Sequence, residues 1–293
     1  MKLHALNHRA YACIGENEGG HIRENSGFVV SQRGVIVIDS TWTLRDAEWM
    51  AREIGKVTEK KVIYVVNTHC HGDHVFGNQV FPAPIIAARS TLNRMRTAVA
   101  NEWSSQNLFQ KALSYRGAGT TPDYPDPERL KDVHIVLPEI AFEAQMTLNL
   151  GELELEIILL SGHTPDSSVV YLPQDKILFA GDLLFVDRYP TLRNGNLMDW
   201  MISLDRIKRM DIRTFVPGHG APCGTEELER EANYFSNLRE SVATLIDQGL
   251  MREEIISHPS IPKYWENDYK RLHGSNIGIV YDQLLEKRNG KTS

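Results

Sequence analysis

The apolar run Val62-Ile63-Tyr64-Val65-Val66 passes without a break into Asn67-Thr68-His69-Cys70-His71-Gly72-Asp73-His74. A short segment rich in valine and isoleucine, with no polar period, reads as a buried strand, so the histidines stand on the loop that leaves its carboxyl end. In an open α/β sheet that is where ligands bind. His69 and His71 lie two apart on a chain still nearly extended, so their rings project to one side and can share an ion. Gly72 lets the backbone turn, which suits Asp73 and His74 to a second ion beside the first. Cys70 alternates to the opposite side and reads as a small packed residue rather than a thiolate ligand. Burying three imidazoles and a carboxylate together without a cation is electrostatically costly, so the stretch reads as half of a two-metal site. His4, His8, His21, His134, His258 and His273 stand apart from it and read as ordinary surface or core residues.

The run His69-Cys70-His71-Gly72-Asp73-His74 resembles the signature of the metallo-β-lactamase-fold superfamily, which implies further ligands downstream in the order His, Asp, His. Ser161-Gly162-His163-Thr164-Pro165-Asp166 offers His163 after an apolar strand at 157–160. Phe179-Ala180-Gly181-Asp182 offers Asp182 at the end of another strand, and Val216-Pro217-Gly218-His219-Gly220 offers His219 after a third. Each stands at the carboxyl end of an apolar run, an agreement that does not depend on the family. Carried over residue by residue, the resemblance implies that His69, His71 and His163 hold one metal, that Asp73, His74 and His219 hold the other, and that Asp182 bridges them. Two zinc ions per chain are the expected cofactor, and manganese or iron would accept the same imidazoles and carboxylates. Asp39, in Val37-Ile38-Asp39-Ser40, also matches a motif of the family and is expected to orient a ligand.

The resemblance implies an αβ/βα four-layer sandwich, where periodicity alone supports only a mixed α/β fold. It also implies a hydrolase: a hydroxide held between two metals attacks a polarised carbonyl carbon, with Asp73 as the catalytic residue that orients it and relays its proton. Residues 28–40, 162–178 and 216–220 look like zinc β-lactamases that carry a cysteine in the second site. Here Asp182 stands in that cysteine's place, His74 fills a position usually Arg or Ser, and Phe185 occupies one that often holds a Lys. A bridging Asp is instead similar to hydroxyacylglutathione hydrolases. The expected substrate is therefore a small-molecule ester, thioester, lactone or amide, a β-lactam included. A single-iron persulfide dioxygenase and a nuclease of the same fold are the alternatives, and the acidic charge disfavours the second.

A length of 293 residues with 42% hydrophobic content is ample for one large core. It suits a β-lactamase-like domain over 1–225, with a helical insertion at about 90–138 and a helical extension over 226–293 packed on it. A net charge of −6 without runs of like charge favours a small molecule over nucleic acid as partner. Cys13, Cys70 and Cys223 are an odd, scattered set that suits a reducing compartment. The first nine residues lack the apolar core of a signal peptide and no later run has the length of a membrane span, so a cytoplasmic location, away from membranes, is expected. Oligomeric state is left open by the sequence.

Hairpins are expected at 28–38, 146–157 and 169–179, the second from the alternation Leu153-Glu154-Leu155-Glu156-Ile157. Thr43 and Asp46 mark the start of a helix over 46–57. A strand at 85–88 is followed by a helix capped by Ser90 and running to about Tyr115, then by a loop at 117–127. Further helices are expected at 197–210, at 226–248 and within 267–287, the last interrupted by Gly274 and Gly278. Arg188, Tyr189, Arg193 and Asn194 border the expected pocket, either as candidates for gripping a substrate anion or as part of a solvated loop. Trp103, Phe109, Tyr115 and Tyr124 line either a lid or a helix core, and Tyr264, Trp265 and Tyr269 read first as packing of the tail on the sandwich, with a dimer contact or a roof over the site as the rival readings.

Overall fold

The computed structural model describes residues 1–16, 23–104, 106–110, 113, 127–264 and 270–290. The expectations for His21, Tyr115, Tyr124, Trp265, Tyr269 and the loop at 117–126 lie outside the described residues. Two sheets face one another. The first has seven strands in sequence order: β1 (Lys2–Ala5), β2 (Ala10–Ile14), β3 (Ser26–Val30), β4 (Val35–Ile38), β5 (Val62–Val66), β6 (Ile85–Ala88) and β7 (Ile140–Phe142). It is antiparallel through β4 and parallel from β4 to β7. The second runs β12-β11-β10-β9-β8, built from β8 (Gln145–Asn149), β9 (Glu154–Leu159), β10 (Ser168–Leu172), β11 (Ile177–Phe185) and β12 (Thr214–His219). Its pairing is antiparallel except between β11 and β12.

Alternation decides how the layers stack, because successive side chains of a strand point to opposite faces. Ile36, Ile38, Val66 and Ile86 of the first sheet meet Ile157, Val170, Ile177 and Val216 of the second in one buried cluster between the sheets. The residues in between, Val35, Val37 and Val65, turn outward onto helix α1 (Leu44–Val57) through Ala47, Met50 and Ile54. Thr43 caps α1, its side chain accepting from the Asp46 amide as the sequence led one to expect. On the far side, Leu178, Leu184 and Phe215 pack against α4 (Leu197–Lys208), α5 (Thr225–Asp247), α6 (Arg252–Ile256) and α7 (Lys270–Arg288) through Trp200, Phe235, Ile255 and Ile277. The order of layers is helix, sheet, sheet, helix, so the mixed α/β reading and the sandwich implied by the resemblance both hold.

Three local expectations are corrected. The helix after β6, α3 (Arg89–Asn101), takes Ala88 as its cap, Ser90 lies inside it, and it stops well short of Tyr115. The amides of Glu102 and Trp103 both close on the Ala98 carbonyl, and the turn swings Trp103 edge-on against Phe76, ring centroids 5.0 Å apart. The chain is helical again over 106–110, so the expected single helix is broken at this turn. Gly274 and Gly278 leave α7 continuous, because tertiary packing overrides a weak local propensity. Asp182 does not end its strand: β11 runs three residues further, to Phe185.

Candidate metal centre

The candidate residues gather at one end of the sandwich, on loops, on a short helix, at the end of β12 and, for Asp182, inside β11. The short helix α2 (Gly72–Val75) follows β5 and carries Asp73 and His74, with His69 and His71 just before it. His163 stands in the turn between β9 and β10, and His219 closes β12. Asp182 stands where the register of β11 against β12 shifts, between Gly181 and Phe185. A bulge of this kind re-aims side chains, and here it directs the carboxylate inward. A Cβ at Gly218 would collide with Asp182 Oδ1, so only glycine lets β12 pass this close. The backbone is strained nearby: Asp39, Thr41 and Ser161 adopt φ of 56°, 73° and 65°.

The seven side chains assemble as two groups. His69, His71, His163 and Asp182 bring one ligand atom each within 4.8 Å of one another, and Asp73, His74 and His219 do the same. Asp182 faces both: Oδ2 is 3.2 Å from His163 Nε2, and Oδ1 is 3.2 Å from His74 Nε2 and 3.5 Å from His219 Nε2. Cys70 belongs to neither group; it packs beside Val75, Phe76 and Met95, where burial pushes its thiol up to about 12.

The outer nitrogens of four imidazoles have acceptors. His74 Nδ1 donates to Asp39 Oδ2 at 2.9 Å, and His163 Nδ1 donates to the Thr191 carbonyl at 3.0 Å. His69 Nδ1 donates to Thr68 Oγ1 at 3.1 Å, whose own proton goes to Asp39 Oδ2 at 2.8 Å. His71 Nε2 donates to Asn194 Oδ1 at 3.2 Å. With the outer nitrogen protonated, a neutral ring turns a lone pair inward. His71 Nδ1 and His163 Nε2 then face each other at 2.9 Å as two acceptors. His69 Nε2, His74 Nε2 and Asp182 Oδ1 are buried without a hydrogen-bond partner. In the first group, inward lone pairs and a carboxylate converge with no donor among His69, His71, His163 and Asp182, which fits a cation.

Charge divides the two groups. Burial lowers the proton affinity of His69 well below the ordinary range and that of His163 to about 3, the neighbouring imidazoles adding to the effect. Burial pulls His74 and His219 the same way, but the Asp182 carboxylate, helped by Asp73, outweighs it and raises both. Asp73 and Asp182 are held below the usual carboxylate range, since burial is overcome by His74 and His219. Arg188 Nη1 stands 3.2 Å from His219 Nδ1 and works against the rise there.

Of the residues expected to grip a substrate, Asn194 and Arg188 reach the cluster through His71 and His219. Arg193 is exposed. Tyr189 is instead 2% exposed, its hydroxyl accepting from the Tyr264 amide, which removes it from the pocket. Trp103 packs with Phe76 and Leu108 as core. Two residues at the site were not singled out by sequence reasoning. Thr68 relays Asp39 to His69, and Glu231, fully buried, accepts from the Phe185 amide at 2.9 Å where β11 bulges. Thr68 adjoins the ligand candidate His69 and could have been suspected; Glu231 sits on α5 with no local signal.

The family model of the metallo-β-lactamase superfamily matches residues 19–219. The chain belongs to that superfamily. Membership implies a divalent-metal site, and the His/Asp cluster is where this chain offers one. The superfamily relatives include the linear primary-alkylsulfatase of Pseudomonas sp. (strain ATCC 19151), 22% identical over 80% of this chain and 50% of its own length. They also include the type 2 metallo-β-lactamase of Bacteroides fragilis, 24% identical over 80% of this chain and 84% of its own. Both are hydrolases by name. Among solved structures, a metallo-β-lactamase from Pontibacter korlensis superposes with a TM-score of 0.61 at 20% identity, covering 80% of this chain and 99% of its own. A double mutant of the sec-alkyl sulfatase PisA1 superposes with a TM-score of 0.74 at 18% identity, over 97% of this chain and 50% of its own. The chain thus spans about half the length of the sulfatases it matches. At these identities the superpositions speak for the fold. No helix among the described residues is long and apolar enough to cross a membrane.

Proposed function

We propose that the chain is a zinc-dependent hydrolase of small molecules, cleaving an ester, thioester, lactone or amide with water as the attacking group. The observation that carries this reading is the set of inward lone pairs around Asp182, above all the facing nitrogens of His71 and His163. His69, His71 and His163 would hold one ion, Asp73, His74 and His219 the other, and Asp182 would serve both. When bound, such a pair supplies Lewis acidity that polarises the scissile group and brings the pKa of water from about 15.7 toward about 7. Imidazole-rich sites with two carboxylates suit zinc.

The residues divide the remaining work. Asp73 is 18% exposed where Asp182 is 4%, so its carboxylate reaches the mouth and accepts the proton of the attacking water at an Oδ atom. Phe185 stacks on the His219 ring, centroids 5.4 Å apart and planes 5° from parallel, and excludes water from that side. Arg188 and Asn194 would hold the substrate's anionic or carbonyl oxygen beside His219 and His71.

A sulfate ester of an alkyl alcohol is the second reading, motivated by the similarity to the linear primary-alkylsulfatase, 22% identical over 80% of this chain. Metal content of the purified protein, measured beside hydrolysis of a nitrocefin-type lactam, a glutathione thioester, a homoserine lactone and dodecyl sulfate, decides between them. Two zinc ions with one acyl substrate preferred supports the first, and preference for dodecyl sulfate supports the second. One iron per chain with no hydrolysis would overturn both. Asp73→Ala is expected to abolish turnover with partial metal loss, and near-normal turnover would remove its role.

A further inference from the structure

The two loops that carry the first cluster are 92 residues apart in sequence at His71 and His163, yet their ring nitrogens meet at 2.9 Å. Something must hold that spacing. Asp166, three residues beyond His163, is 0% exposed and accepts from the Cys70 amide through Oδ2 at 2.9 Å, between His69 and His71. Its Oδ1 pairs with Arg94 Nε at 3.0 Å, and the same Nε lies 3.2 Å from Cys70 Sγ. Thr91, one turn earlier on α3, donates to the Asp166 carbonyl at 3.3 Å. The turn itself is stiff: the Ser167 amide closes on Thr164 O, the Thr164 amide donates to Ser167 Oγ, and the Ser168 amide donates to Thr68 O at 2.8 Å.

We infer that Asp166, locked by Arg94, is a positioning residue that sets the distance between the His69/His71 loop and the His163 turn, and thereby the affinity of the first cluster alone for its metal. A buried carboxylate with two donors has one place to sit, and removing either donor leaves an uncompensated charge. Among the described residues, the partners of the Asp166 side chain lie on Cys70 and Arg94, so the clamp does not reach Asp73, His74 or His219. Cys70 thus owes its place to its backbone amide and its small packed side chain.

This inference rests on the metal reading, and zinc(II) titration of the whole chain separates the two. Asp166→Asn keeps the shape but cannot accept from both Cys70 and Arg94; Arg94→Met keeps the stem and loses the guanidinium. Each is placed in a His219→Ala background, which leaves the first cluster whole, and in a His163→Ala background, which leaves the second. Asp166→Asn is expected to weaken zinc binding about tenfold or more in the first background and less than about threefold in the second. Arg94→Met should follow in the same direction with a smaller change; Asp166→Asn, which removes the buried charge itself, should melt near the parent without metal, whereas Arg94→Met, which strands it, should melt lower. Equal weakening in the two backgrounds, or none, overturns the clamp while leaving the metal reading intact. Absence of zinc binding by the parent overturns both.

Discussion

His74 and His71 are ligand candidates three residues apart, but they are held by opposite means. His74 is 0% exposed and donates to Asp39, a buried carboxylate whose own backbone sits in the left-handed region. His71 is half-buried and donates to Asn194, an exposed amide on the loop before α4. The contrast extends to charge, since the second group gathers Asp73, Asp182 and Asp39 about His74 while the first sets three imidazoles around one carboxylate. One half of the site is therefore a rigid, anionic seat and the other a neutral seat with one adjustable wall. Where substrate contact requires give, the second arrangement supplies it.

The contrast is broken most completely by removing what the halves share. Asp182→Ala is expected to lose metal from both groups and to lower turnover by about 10³-fold or more, about 4 kcal/mol of barrier; retention of one tightly held ion by elemental analysis would show the halves to be independent. Asp39→Asn should weaken the second group about 10- to 100-fold, with a smaller loss at the first through Thr68 and His69. Zinc titrations of Asp39→Asn in the His163→Ala and His219→Ala backgrounds check the asymmetry.

Acid should separate the halves in the metal-free protein. His163 binds a proton only near pH 3 when folded and near 6.5 when unfolded, so its contribution to stability falls as pH drops between those values. His74 and His219 have raised proton affinity, so what they contribute is present below 6.5 and is lost as pH rises through their folded values. His163→Asn should therefore flatten the fall in melting temperature from pH 6.5 to about 4. The smallest effect is expected at the adjustable wall. Asn194→Ala removes one hydrogen bond at the surface and should weaken the first group less than about fivefold, near 1 kcal/mol at most. A loss as large as that of Asp39→Asn would mean the two seats are equally stiff.

Much of this site was legible because its residues advertise themselves. A histidine needs no partner in view to be suspected when it stands at the end of an apolar run, and His69, His71, Asp73, His74, His163, Asp182 and His219 all do so or nearly so. Thr43 and Asp46 announced α1 in the same local way. What could not be read were contacts joining distant segments. The β1 and β2 hairpin escaped notice because β1 is only partly covered and shows no clean alternation. Tyr189 resembled a pocket residue until Tyr264 and Tyr234 closed over it.

Sequence alone determined the residue types, the periodicities that make strands and helices, and the order in which the ligand candidates appear, because each of these depends on neighbours a few positions away. Only the tertiary structure decided which nitrogen of each imidazole turns inward, how Asp182 faces both groups, and that Asp39, Asp166 and Arg94 hold the loops in register. Those outcomes depend on atoms brought within about 3 Å across two packed sheets, and no local pattern encodes a distance of that kind.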